Sequence, residues 1–145
     1  MRLGAFARNF NITTMKKDIQ NRADIEILIN SFYDKVKVDD KIGSIFNEII
    51  GSNWDHHLPI MYQFWDMVLF TTPGYAGNPT RKHVDIDAKI KLNKAHFDRW
   101  LELWNETINA LFQGEKADEA KNRATLMADL INMKVEMSRG GNLVQ

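Results

Sequence analysis

The sequence NKAHFDRWLELWNETINALFQG, residues 93–114, predicts one long amphipathic helix. Asn93 is a favourable N-cap residue, and Gly114 is typical of the position at which a helix ends. Between them, large apolar side chains recur every three or four residues, which puts them on one helical face that requires a core. These side chains are Phe97, Trp100, Leu101, Trp104, Ile108 and Leu111. This is the clearest helix in the chain.

Two further long helices are predicted towards the two ends of the chain. The earlier one has apolar residues at helical spacing. They are Ile25, Leu28, Ile29, Phe32 and Val36. The later one spans about residues 115–138 and ends before the glycines at 140 and 141. Its inward residues are predicted to be Ala120, Ala124, Met127, Ile131 and Val135.

A fourth long helix is predicted from about Trp54 to Phe70. Pro59 lacks an amide donor, so this helix should either begin nearer His56 or bend at the proline. Residues 39–46 before it predict a short capped turn. After it, the sequence TTPGYAGNPT at 71–80 predicts a long loop, followed by a short segment at 81–86. No run alternates long enough to build a sheet, so the predicted fold is all-α.

Length and composition indicate one ordinary globular domain. The 145 residues suffice for a single core, and 19 basic side chains balance 19 acidic ones, which argues against nucleic acid or membrane partners. The chain has no cysteine and no apolar run long enough for a signal peptide or a membrane span, so a cytoplasmic location is expected. We expect a flexible tail at 1–14, the domain at 15–138 and a flexible tail at 139–145.

Familiar catalytic motifs are missing, including glycine-rich phosphate loops, metalloprotease motifs and di-iron motifs. The chemically interesting residues are four histidines, at 56, 57, 83 and 96, among many aromatic and methionine side chains. Taken alone, the sequence predicts that His57 is an ordinary core histidine and that His83 is a surface residue at the end of a loop. It likewise predicts that the aromatic side chains simply belong to the core. Periodicity does not decide between a plain core and a cofactor pocket.

Four segments, in this order and spacing, resemble the group III truncated haemoglobins of bacteria. They are FYDKVKVDDKIGSIFN at 32–47, HHLPIMYQFW at 56–65, YAGNPTRKH at 75–83 and HFDRWLELW at 96–104. The resemblance covers about residues 15–138, with a few extra residues between His83 and Phe97. It implies an abbreviated globin fold, a two-over-two sandwich of helices enclosing haem b, the iron protoporphyrin IX.

The resemblance also assigns roles to individual residues. The histidine that ends NPTRKH, His83, corresponds to the proximal iron ligand, and a neutral imidazole there would be fixed by a hydrogen bond from its second nitrogen. On the distal side, Tyr33, His57 and Trp100 correspond to the residues that stabilise a bound ligand. His56 should face outward.

Other residues are expected to surround the cofactor. The apolar set is Phe32, Phe46, Met61, Phe64 and Trp65. Arg81 and Lys82 are candidates for the haem propionates because they neighbour His83 in sequence. Met61 stands where the family has its usual apolar residue one turn beyond the distal histidine, and its flexible thioether leaves the resting ligation of the iron open.

Three functions of different class follow from this pattern. The first is binding of dioxygen, or of NO or peroxide, at haem iron. A peroxidase-like or NO-detoxifying activity is left open. The sequence has no flavin or nicotinamide motif, so such an enzyme needs a separate reductase. The second is a six-coordinate redox sensor or electron-transfer protein with His57 as second axial ligand. The third is a haem-free interaction domain, in which the apolar stripe is a partner surface.

Overall fold

The computed structural model describes residues 16–140, which form six α-helices and no strand. The helices are α1 (Arg22–Lys37), α2 (Gly43–Ile50), α3 (Trp54–Phe70), α4 (Pro79–Lys89), α5 (Lys94–Leu111) and α6 (Glu115–Arg139). The four long helices lie where the apolar periodicity predicts them. The tail expected at 1–14 and the last five residues of the tail expected at 139–145 lie outside the described residues, whereas Arg139 is still helical.

Local sequence explains where the helices begin. The Asn21 side chain accepts a hydrogen bond from the Asp24 amide at the start of α1, and Asn93 caps α5 in the same way. At α5 the capping is reciprocal, because His96 Nδ1 accepts from the Asn93 amide at 3.2 Å. The N-cap predicted for α5 is confirmed, but the helix ends at Leu111 rather than near Gly114, because Phe112 is already extended.

One predicted helix boundary is confirmed and another is wrong. Helix α3 begins at Trp54, as predicted, and not nearer His56. Pro59 is exposed, so the carbonyl oxygen that lacks an amide donor there can be solvated instead. The loop predicted at 71–80 ends at Asn78, and the segment predicted as short is the eleven-residue helix α4. Asn78 caps this helix, and Pro79 suits its first position, where a missing amide costs nothing.

The helices pack as two crossing pairs. Helix α1 packs against α3, and α5 packs against α6; contacts of α1 with α5 and of α3 with α6 join the pairs. Small residues on α6 allow a close approach, and the fully buried Trp104 of α5 donates its indole N–H to the Ala120 carbonyl at 3.2 Å. The inward alanines predicted on α6 are buried, whereas Met127 is half-buried.

Charged residues fix the corners between helices. Asp39, which is almost fully buried, accepts hydrogen bonds from two amides of the α1–α2 corner and from the Arg99 guanidinium of α5. This arrangement lowers the pKa of Asp39, mainly through the Arg99 hydrogen bond. Within residues 16–140, no helix is both long and apolar enough to cross a bilayer.

Candidate functional site

A cavity of about 410 Å³ lies between the two helix pairs and the shorter helices. Its volume is within the range of small-molecule and cofactor sites, about 300–1,000 Å³. Its walls are largely apolar and come from all six helices, including Phe46 of α2, Ile86 of α4, Phe97 of α5 and Ile131 of α6. A few polar side chains interrupt this lining, and they belong mainly to histidines, tyrosines and tryptophans.

His83 lies in the second turn of α4 and lines the cavity. Its Nδ1 lies 2.6 Å from the Pro79 carbonyl, which can only accept, so Nδ1 carries the proton. Nε2 therefore keeps a lone pair. Burial lowers the pKa of His83, although the Pro79 hydrogen bond opposes the shift, so the ring is neutral at pH 7. A neutral imidazole held in one tautomer is the form that ligates a metal.

Tyr33 stands at the centre of an aromatic cluster on another part of the wall. Its ring centroid lies 5.3 Å from Trp54, 5.7 Å from His57 and 5.9 Å from Phe46. The side chain is buried, and burial alone raises its pKa. The hydroxyl therefore remains protonated at all physiological pH values and can donate a hydrogen bond.

His57 has an unusual environment for a histidine on a helical face. Its Nε2 is buried and has no hydrogen-bond partner among the described residues. Burial, with smaller effects of the Lys82 and His56 charges, lowers the pKa of His57. Burial of a ring nitrogen without a hydrogen-bond partner costs free energy unless a ligand bonds to it, so this atom marks a position for a polar group.

Trp100 belongs to a stack of three indoles. Trp104 lies between the other two, with ring centroids 5.6 Å from Trp100 and 4.6 Å from Trp65, and both pairs are stacked. Trp100 and Trp65 also line the cavity. Stacking against a fully buried ring holds the Trp100 indole in one orientation, which suits a fixed hydrogen-bond donor.

Most residues expected around a cofactor line this cavity, and two do not. Those lining it are Phe46, Met61, Phe64, Trp65 and Lys82. Phe32 lies behind the wall, fully buried, with its ring edge-on to Trp100 at 5.3 Å. The Arg81 side chain is 75% exposed and pairs with Asp85, so it points away from the lining. His56 is exposed but also contributes to the cavity.

Several residues of the cavity wall are not among those predicted from the sequence. Helix α2 contributes Ile45 and Ile49, whose four-residue spacing is a weak helical signal in so short a segment. Tyr75 also lines the cavity, with its ring 5.1 Å from Phe64. Nothing periodic in the 71–78 loop identifies it; a Cβ on Gly77 would lie 2.3 Å from its hydroxyl oxygen, so the glycine leaves room for this ring.

The residues present fit a haem group. Within residues 16–140, no three histidine, aspartate or glutamate side chains converge to hold a bare metal ion. An apolar cavity with one tautomer-fixed imidazole and an unpaired buried nitrogen of a second histidine has the donor set that a haem site needs. Lys82 adds a cationic group at the lining.

Comparison with known proteins agrees with this reading. No family model matches the chain. A protein named group 3 truncated hemoglobin ctb, from Campylobacter jejuni, is 32% identical over 117 residues, which are 79% of this chain and 90% of that protein. The crystal structure of a group III truncated hemoglobin from Campylobacter jejuni superposes with a TM-score of 0.76 at 30% identity, covering 83% of this chain and 95% of the other.

These matches confirm the fold expected from the four sequence segments. The helices of residues 16–140 have the truncated globin arrangement, and the sequence similarity extends over most of the chain. The chain belongs to the group III truncated haemoglobin family.

Proposed function

We propose that this protein binds haem b through His83 and holds dioxygen, or a related diatomic ligand, beside Tyr33, His57 and Trp100. The observation that carries the proposal is the His83 ring, whose Nδ1 is occupied by the Pro79 carbonyl at 2.6 Å while the ring lines an apolar cavity. Family membership supports the same cofactor.

His83 acts as the anchor of the site. The Pro79 carbonyl accepts a hydrogen bond from the Nδ1–H group, which leaves the free lone pair on Nε2. Because burial lowers the pKa of His83, protons do not compete for that lone pair at pH 7. Lys82 is the proposed partner of a propionate, since it lines the cavity whereas the Arg81 side chain is mostly exposed.

Tyr33 and Trp100 act as hydrogen-bond donors to the ligand. Haem, when bound, supplies ferrous iron, which takes up diatomic ligands and polarises dioxygen. The Tyr33 hydroxyl stays protonated in its buried cluster, and stacking on Trp104 keeps the Trp100 indole in place. A hydrogen bond to a charged partner contributes about 1.5–3 kcal/mol, so each donor slows ligand dissociation by about one to two decades. Such retention suits chemistry or sensing better than oxygen delivery.

Chemistry on NO or peroxide is part of this proposal only with an external source of electrons. The chain carries no motif for a flavin or nicotinamide, so a separate reductase would be the partner. Neutral overall charge gives no reason to propose nucleic acid or a membrane surface as a partner, and we propose a cytoplasmic location.

One observation supports a second function, in redox sensing or electron transfer. The buried Nε2 of His57 has no partner among the described residues, and a neutral imidazole is a competent iron ligand. If His57 occupies the second axial position, the reduced protein will have a low-spin spectrum without added ligand. Replacement by His57→Leu should then produce a five-coordinate spectrum and faster ligand binding.

The decisive test of the anchor is replacement of the imidazole in two steps. His83→Gly should lose the high-affinity haem complex, and free imidazole in millimolar concentration should restore it, because the substitution leaves a hole of the right shape. His56→Gly is the matched control, since His56 is an exposed cavity histidine on α3, and it should titrate with haem like the parent protein. Unchanged haem affinity in His83→Gly would overturn the proposal.

A further inference from the structure

Helix α4 carries His83, yet none of its eleven residues is fully buried. Most helices are fixed by an apolar face in the core, and α4 lacks that kind of support over its whole length. It packs extensively along α6, and its side chains in the cavity wall are partly exposed. The orientation of His83 therefore depends on the contacts that hold α4 against α6.

The strongest of these contacts joins the end of α4 to the last turn of α6. The Asp87 carboxylate accepts two hydrogen bonds from the Arg139 guanidinium, at 2.7 Å from Nη2 and 3.0 Å from Nε. This is the two-pronged geometry that makes arginine–carboxylate pairs strong and directional. The Asp87 side chain is only 6% exposed, and the Arg139 side chain is 28% exposed. Solvent therefore screens this pair much less than a pair on the open surface.

The same two side chains also fix the corner that follows α4. Asp87 accepts a hydrogen bond from the Leu92 amide at 2.7 Å, and Arg139 donates to the Leu92 carbonyl. Leu92 is 7% exposed, and its side chain lines the cavity. One network thus holds the α4–α5 corner, the end of α6 and one residue of the cavity wall.

The network lies close to the proposed iron ligand. Asp87 is four residues after His83 on the same helix, which is one helical turn. A change in the tilt or rotation of α4 at Asp87 would move the His83 ring relative to the cavity. The other end of the helix is already fixed, because Asn78 caps it and Pro79 accepts from His83. Arg139 and Asp87 supply the missing support at the far end.

The structure contains an internal comparison on the same helix. Arg81 and Asp85 also form an ion pair on α4, at 3.2 Å, but their side chains are 75% and 62% exposed. This pair joins residues of one helix and connects α4 to nothing else. Exposed pairs of this kind contribute little, so it serves as a matched control for charge removal from α4.

We propose that Asp87 and Arg139 are positioning residues for the haem site: their ion pair fixes α4 to the C-terminal end of α6 and so sets the orientation of His83 and the rate of haem loss. This proposal rests on the proposed role of His83 as iron ligand. Outer partners of metal ligands typically change affinity by about 10–100-fold. Since Asp87 acts through the helix and not through the ring, the expected effect is at the lower end, about tenfold.

The test uses Asp87→Asn, Arg139→Gln and the double variant in the full chain, with Arg81→Gln and Asp85→Asn as controls. Haem transfer to excess apomyoglobin should be about tenfold faster in each of the three network variants, with the double variant close to either single one. Arg139→Lys, which keeps the charge but loses the fork, should lie between the parent and Arg139→Gln. The controls should differ from the parent by less than twofold.

Two further readouts separate positioning from general stability. Resonance Raman spectra of the reduced protein should show a shifted or broadened iron–imidazole stretching band in Asp87→Asn but not in Asp85→Asn. In the haem-free Asp87→Asn variant, the backbone amides of α4 should lose protection from hydrogen exchange, while those of α1 and α5 keep theirs. Both measurements report on α4 itself and do not depend on ligand-binding activity.

The outcomes distinguish this proposal from the function it rests on. If haem loss and the iron–imidazole band in the network variants match those in the control variants, while His83→Gly still abolishes the complex, the positioning role is wrong and the proposed function stands. If His83→Gly leaves haem binding and the band unchanged, the function itself fails. Equal loss of protection in α1, α4 and α5 would also overturn the positioning role, because the pair would then support the whole fold.

Discussion

Replacement of Tyr33 by phenylalanine removes one oxygen atom from the cavity wall and leaves the aromatic cluster intact. The Tyr33 ring packs edge-on against Phe32 at 4.9 Å and His57 at 5.7 Å, and it also contacts Trp54. A phenylalanine ring can make all of these contacts. The variant therefore isolates the hydrogen bond that the hydroxyl is proposed to donate to a ligand, with little change in packing.

The expected magnitude follows from the burial of this donor. Only 5% of Tyr33 is exposed, so water replaces the lost hydrogen bond poorly. A hydrogen bond to a partly charged ligand contributes about 1.5–3 kcal/mol, which corresponds to about 10–150-fold in an off-rate. Stopped-flow displacement of dioxygen by carbon monoxide should show dissociation faster by that factor in Tyr33→Phe. Because burial alone raises the pKa of Tyr33, the parent rate should be constant from pH 6 to pH 9.

Tyr62→Phe is the matched control for this measurement. Tyr62 lies on α3 outside the cavity lining and donates its hydroxyl proton to Asn30. Its replacement should change the dioxygen off-rate by less than twofold. An off-rate in Tyr33→Phe within twofold of the parent, with both variants equally stable to heat, would show that the Tyr33 hydroxyl does not contact the ligand.

Two further predictions concern the corners of the fold. The Arg99 hydrogen bond holds the pKa of Asp39 below its unfolded value of about 3.9. The ionised Asp39 side chain therefore stabilises the fold fully above that pH, and this contribution disappears as pH falls through the folded pKa. Urea unfolding should show Asp39→Asn less stable than the parent at pH 7, with the difference shrinking as pH falls below about 4; a difference that stays constant down to pH 2 would contradict this. Gly114 has φ +146°, and an added Cβ would lie 2.5 Å from Cγ of Asp18, the residue that accepts from the first amides of α6. Gly114→Ala should therefore lower the free energy of unfolding, measured by thermal unfolding, by about 2–4 kcal/mol. Gly74 has a similar φ but open space around it, so Gly74→Ala should lower the same quantity only by the backbone strain of about 1 kcal/mol.

The sequence predicts the long helices well because each has an apolar face that the core buries. Trp104 and Ile108 of α5 are fully buried, as the three- and four-residue spacing requires. Helix α4 escapes this reasoning because it is short and mostly polar, with Val84 and Ile86 as its large aliphatic residues, and none of its residues is fully buried. Its visible signals are the capping Asn78 and the following Pro79, which mark a helix start more than a loop end.

The candidate site is less accessible to sequence reasoning. Considered alone, His83 reads as a surface histidine after a loop, and only the resemblance of whole segments suggests a metal ligand. The Asp87–Arg139 pair joins residues 52 apart, and neither side chain has a sequence context that points to the other. Arg81 was expected near the cofactor from its position beside His83, but helical geometry turns its side chain towards Asp85 one turn away.

The central claim is that His83 holds haem iron in this cavity while His57 belongs to the ligand side. Absorption spectra of the haem-reconstituted protein, as ferric, dithionite-reduced and oxygenated forms, test it directly beside His83→Ala and His57→Ala. The parent protein should give a stable oxygenated spectrum that is lost in His83→Ala, whereas His57→Ala should keep it and change only the ligand kinetics. An oxygenated spectrum that survives His83→Ala would show that His83 does not hold the iron, and absence of a haem complex in the parent protein would rule out haem as the cofactor.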